Sequence, residues 1–117
     1  MLVELSCQPD PKKPAKKVYR LNGKKLVPYN SQQIINHSPD GFNHGYEGSG
    51  PAQLALAICL ELFGRKPALH LYQEFKRRHI AGLGHGGKGE AQQEHFVVML
   101  DVSEYADRAI EHGYRPK

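Results

Sequence analysis

The densest hydrophobic run in the chain extends from Ala52 to Phe63, where only Gln53 and Glu61 are polar. A helix that is apolar nearly all round is buried by neighbours on several sides. The length of the run and its alanine and leucine content favour helix over strand. Pro51 suits a first helical position, Ser49 or Gly50 a cap, and Gly64 a stop. The pattern predicts a buried central helix over 51–63. Beyond it, Ala68, Leu71, Tyr72, Phe75 and His79 share one helical face, with Glu74, Lys76, Arg77 and Arg78 turned away. That is an amphipathic helix over 67–80, packed on one side. Val102, Tyr105, Ala106, Ala109 and Ile110 form the apolar face of a last helix over 103–112. Asp101-Val102-Ser103-Glu104 is spaced as a capping box ahead of it, and Gly113 is its stop.

Strand patterns lie between and before these helices. Residues 17–21 and 24–27 flank Asn22-Gly23, the strongest short-range signal for a hairpin, and Pro28 ends its second strand. Phe42, His44 and Tyr46 recur every second residue, which predicts a strand over 41–46 with all three on one face. His95 to Leu100 is aromatic and β-branched enough for a buried strand. Met1 to Cys7 reads as a short strand or tail, and residues 30–36 as a loop with one helical turn at Gln32 to Ile35. The expected fold is α+β: a small, mostly antiparallel sheet packed with three helices, 51–63 innermost. Residues 1–16 are expected as a tail and basic Pro/Lys linker ahead of a single domain over 17–117.

Charge adds an asymmetry. The formal net charge is +4, and Lys12, Lys13, Lys16, Lys17, Arg20, Lys24 and Lys25 supply seven of the sixteen basic residues. From Glu47 onward basic and acidic residues balance, so the excess belongs to the N-terminal segment. Such a patch can meet nucleic acid or another polyanion, or simply keep the chain soluble. Two cysteines, Cys7 and Cys59, make no disulfide framework and suit a reducing cytoplasm. No apolar run reaches membrane-spanning length, so the expected location is cytoplasmic, in the host cell if the gene is carried by a phage.

Candidate chemistry gathers at Gly48-Ser49-Gly50, a glycine turn at a helix start. Backbone N–H groups there can hold a phosphate or carboxylate, or the glycines can merely reverse and cap the chain. No G-K-[ST] follows, so this is not a P-loop. A ligand site here would comprise His44, Tyr46, Gly48, Ser49 and Gly50; general acid–base work would fall to His37, Asp40 and His44. Seven histidines show no metal-ligand spacing, and neither metal nor cofactor is expected. Gly82-Leu83-Gly84-His85-Gly86-Gly87 matches G-x-G-x-x-G only formally, because it follows a helix instead of a strand.

The stretch His37-Ser38-Pro39-Asp40-Gly41-Phe42, followed by Gly45-Tyr46 and, one residue on, Gly48-Ser49-Gly50-Pro51-Ala52-Gln53-Leu54-Ala55-Leu56, resembles an uncharacterised family of small proteins from bacteria, phages and plasmids. Its core reads S-P-x-G-F-x-W-G-Y-x-G-S-G-P-A-x-L-A-L, and Ala68 to Lys76 resembles its second helix. The family usually carries tryptophan where this chain has His44. The resemblance implies a fold and a mobile-element setting, and no activity. The expected function is a small non-catalytic binding protein engaging a nucleotide, nucleic acid or host protein, such as an anti-defence factor. The alternatives are an enzyme acting on a phosphate-containing nucleotide or phosphodiester through His37 and His44, and a protein–protein adaptor.

Overall fold

The computed structural model describes residues 1–13, 15–83 and 95–116. Among the described residues, four antiparallel strands form one sheet: β1 (Leu2–Pro9), β2 (Lys17–Leu21), β3 (Lys24–Lys25) and β4 (Phe96–Asp101), in the order β3-β2-β1-β4. Helices α1 (Pro28–Gln32), α2 (Ser49–Phe63), α3 (Arg65–Phe75) and α4 (Ser103–Ile110) complete an α+β fold. Residues 2–9, expected as a short strand or as a tail outside the domain, therefore form an interior strand. The reason is a period-2 alternation: Val3, Leu5 and Cys7 are buried on one face, whereas Glu4 and Gln8 point outward. The register sets Leu5 opposite Leu21 and Val98, and Cys7 opposite Tyr19 and Phe96. This aligns the inner sides of three strands into the floor of the core.

The expected strand over 41–46 is not one. Gly41 and Gly45 both adopt positive φ, 105° and 83°, which breaks extended pairing twice in five residues. The segment is irregular, and its aromatics part company: His44 is fully buried while Tyr46 is 45% exposed. The hairpin forms at Asn22-Gly23, with φ of 51° and 82° as a type I′ turn requires. Its second strand is short because Pro28 opens α1, upstream of the helical turn expected at 32–35.

Helix α2 lies at the centre of the core, and its residues from Gly50 to Cys59 are all buried. It starts two residues before Pro51, and Gly64 stops it at φ 87°, its N–H donating to Leu60 O at 3.0 Å. Gly64 also precedes α3, so the two helices meet at a single residue and pack together. After Phe75 the helix widens to a π turn over Lys76–Ile80, where Ala81 N–H donates to Lys76 O at 2.9 Å. The expected single helix over 67–80 is thus two kinds of turn in series. The widened turn buries Ile80 completely and sets His79 against the Tyr105 ring of α4. Residues 84–87 of the glycine motif lie outside the described residues.

Candidate functional site

The basic segment is a built loop between β1 and β2. Asp10 organises it: its N–H donates to Lys16 O at 2.9 Å, its carbonyl accepts Lys13 N–H at 3.1 Å, and its carboxylate accepts Lys12 N–H at 2.9 Å. These bonds tie Asp10 to Lys12, Lys13 and Lys16. Lys16 Nζ donates to Asp40 O at 3.3 Å, and Lys17 Nζ donates to Asn43 Oδ1 at 3.1 Å. The basic loop and the irregular 37–48 segment are therefore tied together.

That second segment is anchored from behind by Gln53, the one polar residue on the buried stretch of α2. Gln53 Oε1 accepts N–H bonds from His37 (2.7 Å) and Ser38 (3.0 Å); its amide donates to Ser31 Oγ (2.8 Å) and Ile35 O (3.0 Å). All four of its hydrogen-bonding capacities are used, as a fully buried amide requires. His44 is held differently. Its Nδ1 stands 2.7 Å from Tyr19 Oη, and its ring packs edge-on to Tyr19 and Phe96. Burial comes first among the causes that push the Tyr19 phenol well above its ordinary value, so Tyr19 stays protonated and can donate to the imidazole. His44 is thus a core residue.

The glycine turn is shaped by side chains. A Cβ on Gly48 would stand 2.4 Å from Cε2 of the Tyr46 ring; one on Gly50 would stand 2.7 Å from Asn43 Cβ and 3.1 Å from Tyr46 Oη. Both glycines are bare so that Tyr46 and Asn43 can pack on them. The turn is filled by protein side chains, which weakens its reading as a phosphate cradle.

Beside it opens a cleft of about 570 Å³. Lys13, Lys16, Lys17 and Lys25 line it together with Asp10, Asp40, Asn43, Tyr46 and the first residues of α2, Ser49 and Gly50. The basic patch and the helix start, separate features of the sequence, share this wall. Of the remaining basic residues, Lys24 pairs with Glu61 at 2.6 Å, and Arg20 sits opposite Lys25 and Ser6 in the sheet. Among the residues considered for catalysis, only Asp40 lines the cleft. His44 is sealed in the core, and His37 Nε2 lies 2.7 Å from Tyr72 Oη of α3. Sequence reasoning misses Asn43, whose Oδ1 accepts both His44 N–H and Lys17 Nζ; an uncharged residue between aromatics carries no pattern that marks it. A smaller cleft of about 330 Å³ lies by Arg78, His79, Asp101, Ser103, Glu104 and Tyr105. Its charges are already engaged: Arg78 pairs with Glu104, and Asp101 accepts two bonds from Ser103.

The profile of a family of unknown function (DUF6166) matches residues 11–105. The chain belongs to that family. The match spans the basic loop, the 37–50 segment and helices α1 to α3, and so every residue that lines the cleft except Asp10. No curated protein and no solved structure matches the chain. No helix among the described residues is long and apolar enough to cross a membrane.

Proposed function

We propose that this protein is a non-catalytic binding module whose lysine-lined cleft takes a phosphate-bearing ligand, a nucleotide or a nucleic-acid strand. The observation that carries the reading is the convergence of Lys13, Lys16, Lys17 and Lys25 on one cleft with the first turn of α2. Four ammonium groups against the carboxylates of Asp10 and Asp40 leave the site positive, and the N-terminal end of a helix adds to that potential. Catalysis is disfavoured because the groups suited to it do not meet: His44 is sealed off and His37 is engaged with Tyr72. A mobile-element origin and a role in blunting a host defence belong to the same proposal. A phage-borne module that sequesters a nucleotide or strand needs only affinity, and this cleft offers the chemistry for it.

Calorimetric titration with a nucleoside triphosphate and with a single-stranded oligonucleotide tests the reading. Wild-type affinity should fall as salt rises, because phosphate contacts by lysine release counterions. The double variant Lys16→Glu/Lys17→Glu should bind about tenfold or more weakly, since each solvated charge contact is worth on the order of 1 kcal/mol. A cooperative melting transition would show that the variant is folded. Salt-independent affinity, or an undiminished double variant, would remove the reading.

A further inference from the structure

Two large aromatic side chains line the cleft: Phe42, half-buried and edge-on to Tyr19, and Tyr46, which is exposed. A tyrosine that served only to cover the start of α2 would be buried there, yet Tyr46 is 45% exposed. Its Cδ2–Cε2 edge lies on the bare Cα of Gly48, and its hydroxyl end lies beside Gly50. Gly48 has φ −179° and ψ −173°, an extended conformation open to any residue. The backbone therefore does not demand glycine at this position; the ring does, because a Cβ would come within 2.4 Å of Cε2 and 2.9 Å of Cδ2. The chain gives up a side chain at Gly48 to hold an exposed aromatic in one place beside Lys13, Lys16, Lys17 and Lys25.

We propose that Tyr46 is a stacking platform for a nucleobase, so that the cleft recognises a base-bearing phosphate, either a free nucleotide or a unit of a single strand. This rests on the phosphate-binding reading above and adds a second point of contact. The lysines neutralise the phosphates, while the fixed ring receives the base. Stacking is tolerant of base identity because every base has a π face. A ring already seated on Gly48 loses little freedom when the base arrives, so the contact is preorganised. Two independent parts of the chain would then meet one ligand, the β1–β2 loop through its charge and residues 46–50 through the ring.

The test compares a nucleoside triphosphate, inorganic tripolyphosphate and a single-stranded oligonucleotide on the same protein. Wild type should bind the nucleoside triphosphate about tenfold more tightly than tripolyphosphate, the margin that base–aromatic stacking supplies. Tyr46→Ala should abolish this margin and leave tripolyphosphate binding unchanged; Tyr46→Phe should retain it. Gly48→Ala keeps the tyrosine but displaces its ring, and it should lose the margin as Tyr46→Ala does. Tighter binding of the oligonucleotide than of the triphosphate would assign the base to a strand, and the reverse to a free nucleotide. Equal wild-type affinity for triphosphate and tripolyphosphate would overturn the platform while leaving the phosphate site standing. Binding of none of the three would overturn both.

Discussion

At the residue scale, Gln53 governs how the site is held. Four hydrogen bonds converge on its buried amide and fix residues 31–38 against α2. Gln53→Leu keeps the side chain's bulk but takes the partner from two N–H groups and a carbonyl, while the Ser31 hydroxyl keeps its donation to Pro28 O. Leaving a buried polar group unpaired costs about 1–3 kcal/mol, so the variant should lose on the order of 3 kcal/mol of stability in urea denaturation. A loss below about 0.5 kcal/mol, within the range of ordinary surface substitutions, would contradict this role. The sequence marks Gln53 as an exception on an apolar helix, but its partners are legible only in three dimensions. His44 teaches the converse. Its place in an aromatic alternation beside the glycine turn makes it a candidate ligand residue, yet Tyr19 and Phe96, distant in sequence, enclose it.

At the element scale, local patterns fared better than long-range ones. The three long helices and the Asn22-Gly23 hairpin follow from periodicity and turn chemistry, because the physics that sets them acts over a few residues. The strand expected over 41–46 fails because two positive-φ glycines interrupt it. The interior place of β1 is illegible because its partner β4 lies at the far end of the chain, with Leu5 opposite Val98. Deleting residues 1–9 should therefore abolish cooperative thermal unfolding, since β4 would lose its sheet partner; a folded truncation would restore the view of this segment as a tail. His79, in the π turn, gives stability an expected pH dependence. Burial, and then the nearby Arg78, lower the affinity of His79 for a proton, against opposing pulls from Asp101 and Glu104. The unfolded chain binds that proton near the ordinary histidine value of about 6.5, so stability is full above it and falls as pH drops through the lowered folded value. The melting temperature of wild type should fall between pH 7.5 and 5.5, and the fall should shrink in His79→Gln. An identical pH profile in both proteins would rule out this contribution.

At the scale of the whole molecule, the cleft arises from topology. The basic loop closes β1 to β2, and the 37–50 segment is pinned to α2 by Gln53; both are brought to one end of the sheet. Sequence alone places a basic patch in one region and a glycine turn in another, and offers no reason for them to meet. Their meeting brings Lys13, Lys16, Lys17 and Lys25 to one cleft, and on the proposed function losing Lys16 and Lys17 should cost ligand affinity without loss of fold. On the proposal above, Tyr46, seated on Gly48, would supply the margin for a base. The most direct measurement is amide chemical-shift mapping of the labelled protein during titration with a nucleoside triphosphate. Shifts should concentrate at Lys13, Lys16, Lys17, Lys25, Tyr46, Ser49 and Gly50 and fade as salt is raised. Shifts centred instead on Arg78, Ser103 and Tyr105, or none at saturating ligand, would contradict a phosphate site in this cleft.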